Sequence, residues 1–322
     1  MHKMLICGAS GFIGQNLMNY FSKIEEFEVT GIVHTSKISN PLKNQTFIRG
    51  DLRDTNFVNE VCKNKDIILQ FAATTSGSND IVNQPHLHVT DNALINSLVL
   101  RASHELGIKK LIFPSCTVMY QSSEFSIKEN DFDANIDLQK HYFGVGNTKL
   151  YIEKMCEFYS RIGNCQHIVL RHSNIYGPFD KFDLSRSHMM GASITKILSS
   201  VENDTITVWG SGEERRDLLY VSDFVEAVHS SLGISDKFGI FNVGLGKSES
   251  VRNVVEKIIK ISGKNLKIEH DLSKPSIPTN IELDFSKFNK STNWKPKISL
   301  DEGIALTCKW WQDAKQNDNL II

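Results

Sequence analysis

The sequence predicts an α/β protein: a doubly wound parallel sheet with helices on both faces, and a smaller lobe after it. Three observations predict this fold. In the first half of the chain, short apolar runs alternate with helical patterns, and such alternation indicates parallel strands joined by helical crossovers. Three glycines, Gly8, Gly11 and Gly14, separate the first strand from the first helix. Beyond about residue 168 the alternation loosens, so we expect one domain at residues 1–170 and a smaller lobe at residues 171–322, with the chain crossing between them.

The strands and helices of the first domain are each predicted from a local sequence pattern. Apolar runs predict strands at residues 4–7, 29–33, 47–49, 67–72 and 110–113, the last ending at Pro114. Helical patterns cover residues 14–22 and 90–106. Gly107 follows the longer helix and fits a C-cap, because glycine readily adopts the left-handed conformation that ends many helices. This order of elements requires right-handed crossovers.

Composition and charge exclude several classes of protein. The 322 residues are 40% hydrophobic and 23% charged, and 36 basic against 37 acidic residues leave a formal charge of -1. A protein that binds nucleic acid or anionic membranes would need a basic excess. No apolar run approaches the roughly 20 residues of a membrane-spanning helix. The six cysteines lack CxxC spacing, so neither a disulfide scaffold nor a metal site is expected. We therefore expect a cytoplasmic protein without nucleic-acid or membrane partners.

The segment GASGFIG at residues 8–14 is the strongest local motif. Gly8 allows a tight turn, Gly11 allows backbone N–H groups to approach a pyrophosphate, and Gly14 allows close packing of helix on strand. The intervening Ser10, Phe12 and Ile13 complete the loop. With a strand before it and a helix after it, the motif predicts a Rossmann-type dinucleotide-binding domain.

Residues at the end of the second strand should contact the adenosine ribose of that dinucleotide. An acidic residue there would bind the 2′-hydroxyl and repel a 2′-phosphate. The sequence has no acid there, which favours NADP(H) with Lys37 as a phosphate partner, but His34 and Ser36 could equally serve NAD(H), so the choice stays open. Asp51, followed by Leu52, is placed to accept a hydrogen bond from the adenine amine, although an aspartate there also suits a turn.

Motifs along the whole chain resemble one family. LRHSNIYGP (170–178), WGSGEERRDLLYVSDFVEA (209–227), FNVGLG (241–246) and STNWKPKISLDEGIALTCKWW (291–311) follow the glycine loop in the order found in extended short-chain dehydrogenase/reductases, the NAD-dependent epimerase/dehydratase family. The resemblance implies cofactor contacts from Ala72, Ala73 and Asn92. It also implies a homodimer formed through the helices near residues 92–106 and 147–161.

Two further segments resemble the GDP-fucose synthase branch of this family. They are NIYGPFDKFDLSRSHMM (174–190) and KPSIPTNIELD (274–284). The resemblance implies a GDP-linked sugar as substrate, contacted by Asn174, Arg216 and Lys274. An arginine suits a diphosphate because it donates paired N–H groups. The alternative for Arg216 is an exposed ion pair with a neighbouring acid, Glu213 or Asp217.

The resemblance implies a catalytic tyrosine four residues before a lysine, and here the sequence departs from the family. Lys149 matches the lysine, but Val145 stands where the tyrosine is expected. Tyr142 is the nearest substitute, seven residues before Lys149 and about 10.5 Å away along an ideal helix, unless the glycines of YFGVG kink the backbone. Tyr120 is a weaker candidate, and loss of the usual proton transfer is the third interpretation.

The end of the fifth strand and one histidine complete the predicted site. The family has Ser or Thr after this strand, and here Ser115 and Thr117 can donate to a substrate oxygen, while a register shifted by one residue puts Cys116 there. Cys116 and His188 also resemble the proton-transferring pair of an epimerase, although either fits a structural role.

Three functions follow from this reading. The first is an NAD(P)-dependent oxidoreductase acting at C4 of a GDP-linked hexose or heptose during synthesis of surface-polysaccharide precursors. The second is a 3,5-epimerase and 4-reductase similar to GDP-fucose synthase. The third, suggested by Val145, is a dinucleotide-binding relative without catalytic activity.

Overall fold

The computed structural model describes residues 1–36, 38, 42–75, 78–274 and 276–317. The strands are β1 (His2–Cys7), β2 (Phe27–Val33), β3 (Thr46–Arg49), β4 (Ile67–Gln70), β5 (Lys110–Cys116), β6 (Gln166–His172), β7 (Asn174–Tyr176), β8 (Thr205–Trp209), β9 (Arg215–Tyr220), β10 (Phe238–Val243), β11 (Ser248–Ser250) and β12 (Lys267–Asp271). The helices are α1 (Phe12–Phe21), α2 (Thr55–Cys62), α3 (Ser78–Asn83), α4 (Thr90–Glu105), α5 (Phe143–Ile162), α6 (Met189–Ser199), α7 (Val221–Ser231), α8 (Val251–Ser262), α9 (Ser286–Thr292) and α10 (Leu300–Gln316). Short 3-10 turns lie at Pro85–His88, Glu129–Asp131 and Lys140–Tyr142.

Seven parallel strands form the large sheet, in the order β3-β2-β1-β4-β5-β6-β10. The last four residues of β1 and all four of β4 are buried, as expected for parallel strands covered on both faces. The direction of winding reverses between β1 and β4. In open sheets of this kind, ligands bind beyond the carboxyl ends of the strands at that reversal.

Two apolar cores cover the two faces of this sheet. One contains Leu17 of α1 and Phe224 of α7. The other contains Val58 of α2, Val99 of α4 and Ile152 of α5. Burial on both faces fixes the sheet rigidly, so the loops at the carboxyl ends of its strands start from defined positions.

The remaining strands and helices form the smaller lobe. Its three-stranded sheet has the order β11-β9-β7, and β12 pairs with β8 in a separate two-stranded sheet. Helices α6, α8 and α10 pack with them around Tyr176, Phe182 and Trp311, all 2% exposed or less. Within the described residues, no helix has the length and apolarity needed to cross a membrane.

The predicted fold class is confirmed. Residue 170 falls inside β6, and β10 returns to the large sheet after the chain has formed β7, β8 and β9. The chain therefore passes between the two lobes more than once. Pro114 was expected to end the fifth strand, but β5 continues to Cys116. A proline is tolerated there because β4 pairs with β5 only as far as Ile112, so no bond to β4 is lost.

Candidate active site

The turn between β1 and α1 is shaped by backbone packing. Gly8 has a φ of +77°, and a Cβ at this position would stand 2.8 Å from the backbone of Ala72. A Cβ on Gly14 would overlap the carbonyl oxygen of Gly8. Gly11 is the N-cap of α1, and it offers no side-chain hydrogen bond to the helix N-terminus. The first N–H groups of α1 are therefore left for an anionic ligand.

The other predicted loop residues support this turn. The carbonyl of Ser10 accepts a hydrogen bond from Nε2 of Gln15 at 3.0 Å. Phe12 and Ile13, in the first turn of α1, pack partly buried against the core. They hold the start of α1 against the sheet.

The predicted adenine-binding residues lie after β3. The carboxylate of Asp51 accepts hydrogen bonds from Arg53, the shortest at 2.7 Å, and Nε2 of His34 lies 3.6 Å away. The Arg53 hydrogen bonds lower the pKa of Asp51 to about 2. Leu52 is 5% exposed and belongs to the core, and Lys37 lies outside the described residues. Asp51 is thus a fixed anion at neutral pH.

Asn92 holds the loop that follows β4. Its Oδ1 accepts a hydrogen bond from the Thr74 N–H at 2.8 Å, and its Nδ2 donates to the carbonyls of Thr74 and His88. The amide is used by these bonds, and Asn92 is 6% exposed. Asn92 therefore positions the 72–75 loop, which contains the predicted cofactor contacts Ala72 and Ala73.

Lys149 lies in a cavity next to that loop. We call this the first cavity; it is lined by Gln70, Phe71, Ala72, Ala73, His88, Asn92, Asn96, Phe113, Pro114, Val145, Thr148, Lys149 and Ile152. The Nζ of Lys149 donates to the Pro114 carbonyl at 2.8 Å and lies 4.7 Å from the centre of the Phe113 ring. Burial lowers the pKa of Lys149, while the nearby Cys116 and Glu153 raise it. Val145 faces the same cavity, so the aliphatic side chain occupies the position expected for the tyrosine.

Tyr142 lies in a different cavity. This second cavity is lined by Thr117, Val118, Tyr120, Tyr142, Ser173, Asn174, Arg216, Asp217, Thr279 and Ile281. Helix α5 begins after Tyr142, which is its N-cap residue, and continues through Gly144 and Gly146. Burial raises the pKa of Tyr142, the Arg216 charge lowers it and Cys116 raises it. Tyr142 and Lys149 therefore line different cavities, while Cys116 interacts electrostatically with both of them.

The end of β5 lies between the two cavities, with Pro114 lining the first and Thr117 the second. Ser115 has no exposed surface, and its hydroxyl has no hydrogen-bond partner within the described residues. It was predicted to donate to a substrate, and its burial argues against that role. Cys116 is partly exposed, with Lys149 as a charged neighbour, and burial raises the pKa of its thiol.

A buried polar network under the second cavity was not predicted. Arg171 donates to both carboxylate oxygens of Glu153, at 3.0 and 2.7 Å, and to the Tyr120 hydroxyl at 2.9 Å. The Tyr120 hydroxyl donates to Oδ1 of Asn242 at 2.7 Å. Burial raises the pKa of Tyr120 to about 12. Because its hydroxyl is fully engaged, Tyr120 is unsuited to act as a catalytic base. The sequence did contain one indication of this network, since Arg171 is a charged residue inside the otherwise apolar run IVLRH (168–172).

The predicted substrate residues lie in the smaller lobe. Arg216 donates to the carbonyls of Arg215, Ile277 and Thr279, at 2.7 to 3.0 Å. Neither predicted ion-pair partner is used: Glu213 pairs with Arg252, and Asp217 accepts N–H groups of Leu245, Gly246 and Leu283. Asn174 and Lys274 are both exposed, and only Asn174 lines the second cavity with Arg216.

His188 is at the N-terminus of α6. Desolvation, Lys181 and His88 lower its pKa to about 4. The charged neighbours of Cys116 are instead Lys149, Glu153 and Arg171. These contacts do not bring Cys116 and His188 into one cluster.

A loop of the smaller lobe contacts α1 and the 72–75 loop of the large domain. This contact was not predicted from the sequence. Nδ2 of Asn16 donates to the Pro178 carbonyl at 2.9 Å, and Nζ of Lys181 donates to Oγ1 of Thr75 at 3.0 Å. Between them, Phe179 has a φ of +69°, a strained conformation often found at functional sites. Desolvation raises the pKa of Asp180 to about 7.

Comparison with known proteins identifies the family. The model of the NAD dependent epimerase/dehydratase family matches residues 4–244. The chain belongs to this family. The resemblance seen in the sequence motifs is confirmed by full-length relatives: a GDP-L-colitose synthase of Yersinia pseudotuberculosis is 27% identical, covering 98% of this chain and 100% of its own. A GDP-L-fucose synthase of Azorhizobium caulinodans is 26% identical, with 96% of each chain covered.

Other members of the family carry UDP-sugar names. A protein described as an uncharacterized UDP-glucose epimerase of Bacillus subtilis is 27% identical over 94% of this chain and 95% of its own. The structure of a UDP-glucose 4-epimerase from Thermotoga maritima with UDP-glucose superimposes with a TM-score of 0.86, at 23% identity, covering 97% of this chain and 99% of that one. This last likeness shows the fold.

The residues present fit a nicotinamide dinucleotide. The close approach at Gly8 and Gly14 leaves no room for side chains, and the uncapped N-terminus of α1 can receive a pyrophosphate. The 72–75 loop and Lys149 would hold the nicotinamide half in the first cavity. Within the described residues, no group of three or more His, Cys, Asp or Glu side chains is arranged to hold a metal ion.

Proposed function

We propose that this chain is an NAD(P)(H)-dependent oxidoreductase that acts at C4 of a GDP-linked sugar. The observation that carries the proposal is the arrangement of two cavities on either side of the end of β5. The first contains Lys149 beside the 72–75 loop, and the second contains Tyr142 and Arg216. The first cavity offers an ammonium group beside a loop of small residues, and the second offers a guanidinium beside hydroxyl groups.

The chain's own residues would bind and orient the reactants. The dinucleotide, when bound, supplies or accepts the hydride. Lys149 is fixed by its bond to the Pro114 carbonyl and keeps further N–H donors for a ribose. Thr117, on the wall of the second cavity, can donate to an oxygen of the sugar.

The protonation state of Tyr142 favours reduction of a keto sugar. Burial raises the pKa of its phenol, so the group is protonated near neutral pH. A protonated phenol can donate to a carbonyl oxygen that is becoming a hydroxyl. Oxidation would instead need the phenolate, which this environment disfavours.

Two observations support a GDP-linked substrate. The relatives from Yersinia pseudotuberculosis and Azorhizobium caulinodans are named as synthases of GDP-linked sugars. Arg216 lies in the second cavity with its guanidinium held by three backbone carbonyls. A fixed guanidinium suits a diphosphate, since it needs little further ordering to donate paired hydrogen bonds.

The experiment compares nucleotide sugars. The purified protein is mixed with NADPH or NADH and a GDP-linked 4-keto hexose, and oxidation of the dinucleotide is followed by absorbance. The matched control is the same keto sugar linked to UDP. We expect oxidation of the dinucleotide with the GDP-sugar and at least about tenfold slower oxidation with the UDP-sugar, as loss of one well-placed polar contact would give.

Other results would change the proposal. If neither sugar is reduced although dinucleotide binds, the chain is a dinucleotide-binding relative without this activity. If the product made in deuterated water carries deuterium at C3 or C5, the chain also epimerises. In that case Cys116→Ser and His188→Asn test the two predicted proton-transfer residues.

We also propose that the chain forms a homodimer through α4 and α5. Leu94, Tyr151, Phe158 and Ile162 on these helices are 41% to 53% exposed, which is unusual for several large apolar residues on neighbouring helices. Light scattering after gel filtration should give twice the chain mass of 36.4 kDa. A mass of one chain would contradict the proposal.

A further inference from the structure

Arg49 lies beside the backbone that follows β2, where we expect the adenosine ribose to bind. It is the last residue of β3 and pairs in register with Val33, the last residue of β2. Its guanidinium donates to the carbonyl of His34 and, at 3.2 Å, to the carbonyl of Ser36. These two bonds place a permanent positive charge against the backbone that follows β2.

No carboxylate balances this charge among the residues that the structure describes. Residues 29–50 contain no Asp or Glu, and in the described part of the chain no ion pair involves Arg49. The next acid along the chain, Asp51, is engaged by Arg53 through both carboxylate oxygens. Arg53 in turn reaches Asp91 at 3.1 Å. Among the described residues the two arginines therefore differ: Arg53 forms ion pairs with two acids, and Arg49 forms none.

The ribose 2′ position of a dinucleotide lies at the carboxyl end of the second strand of such sheets. An acid there selects NAD(H), and an arginine accommodates the extra phosphate of NADP(H). Arg49 has five N–H groups, and its two bonds to backbone carbonyls leave others free to donate. Those bonds also fix the guanidinium in advance, which lowers the cost of ordering it on a phosphate.

We propose that this chain prefers NADP(H) over NAD(H) and that Arg49 recognises the 2′-phosphate. The inference rests on the proposed function, since it assumes that a dinucleotide binds along the glycine turn. It goes beyond that function by naming the form of the dinucleotide and the residue that selects it.

The test measures binding without any turnover. Isothermal titration compares 2′-phospho-ADP-ribose with ADP-ribose, two ligands that lack nicotinamide and differ only in the 2′-phosphate. The variants are Arg49→Gln and, as a matched control, Lys43→Gln, which removes an exposed positive charge from the loop before β3. ADP-ribose affinity reports whether each variant keeps an intact site.

We expect the wild-type protein to bind 2′-phospho-ADP-ribose at least about tenfold more tightly than ADP-ribose, as one charge-assisted contact would give. Arg49→Gln should lose this preference while ADP-ribose affinity stays the same, and Lys43→Gln should keep it. Equal affinity of the wild type for both ligands would overturn the inference alone. An unchanged preference in Arg49→Gln would overturn the role of Arg49. Failure of the wild type to bind either ligand would overturn the proposed function, and the inference with it.

Discussion

The β1–α1 turn and the start of α5 follow the family pattern to different degrees. In the turn, all three glycines are present, and Gly8 and Gly14 are each required because a Cβ would meet backbone atoms. At the start of α5, Lys149 is kept while Val145 replaces the expected tyrosine. Close contact between backbones allows no substitute for glycine. A hydroxyl, in contrast, can reach a substrate from more than one position of the chain.

The two cavities show the consequence of this difference. In the first, Lys149 is surrounded mainly by apolar and small side chains, and burial lowers its pKa. In the second, Tyr142 shares the wall with Arg216, Asn174 and Thr117. A tyrosine and a lysine that act together in the family motif therefore line different cavities here, which we propose hold the sugar and the dinucleotide. Substitutions at Lys149, Tyr142 and Val145 test whether the two side chains still act on one reaction.

The largest effect is expected from Lys149→Met. This change removes the ammonium group of Lys149 from the first cavity and its bond to the Pro114 carbonyl. We expect kcat for reduction of the GDP-linked keto sugar to fall about 10³-fold, within the range of acid–base and positioning contributions. Lys154→Met is the control, because Lys154 lies on the same helix with 81% of its side chain exposed. A loss below about tenfold for Lys149→Met would show that the first cavity is not the dinucleotide cavity.

A smaller loss is expected from Tyr142→Phe. The change removes only the hydroxyl, so kcat should fall about 10²-fold with little change in KM. Tyr120→Phe is the contrast: it removes one hydrogen-bond partner from Arg171 and one from Oδ1 of Asn242 and should destabilise the fold by about 1–3 kcal/mol. Thermal unfolding and steady-state kinetics on both variants separate the two effects. An unchanged kcat in Tyr142→Phe would remove Tyr142 from the reaction.

The pH dependence of the rate also tests whether Tyr142 is the proton donor. Burial raises the pKa of Tyr142 above its usual value of about 10. The protonated phenol is present below that pKa, so reduction should be constant through neutral pH and decline only as the pH rises through it. The opposite reaction, oxidation of the hydroxyl sugar, should become faster over the same alkaline range. A reductive rate that declines near pH 7 would identify another donor.

Much of the fold was predictable because it depends on local pattern. The glycine turn, the first five strands and the helix at residues 90–106 follow from apolar runs and turn residues. The helix was placed within one residue of its observed bounds, Thr90–Glu105. Pro114 was misjudged because its tolerance in β5 depends on where the neighbouring strand β4 ends, which the local sequence does not contain.

The place of a candidate site residue in the fold was predictable only where one residue type suits that position. Lys149 and the glycines belong to that class. The hydroxyls of Ser115 and Tyr120 do not: the first is buried inside β5, and the second is engaged by Arg171 and Asn242. Both outcomes depend on contacts between residues far apart in the chain, so a motif alone could not separate them from Thr117.

The smallest effect is expected from Val145→Tyr placed in the Tyr142→Phe variant. This double variant tests directly whether the hydroxyl acts from position 145 or from position 142. Position 145 faces the first cavity four residues before Lys149 on α5, so the change rebuilds the family spacing with both side chains on one helix face. We expect kcat to recover about tenfold from the Tyr142→Phe level, remaining below the wild type because the surrounding side chains are arranged around a valine.

Val145→Phe in the same variant is the control, since it adds the ring without the hydroxyl. Equal recovery by Phe and Tyr would mean that filling the cavity, not proton transfer, restores the rate. The single variant Val145→Tyr distinguishes a chain in which Tyr142 is the working donor from one that lacks an effective donor. If Tyr142 is the working donor, a second hydroxyl should leave kcat within about threefold of the wild type. If instead Val145→Tyr alone raises kcat well above the wild type, the natural chain lacks an effective donor, and the separation of Tyr142 from Lys149 is a loss of catalytic power and not a relocation of it.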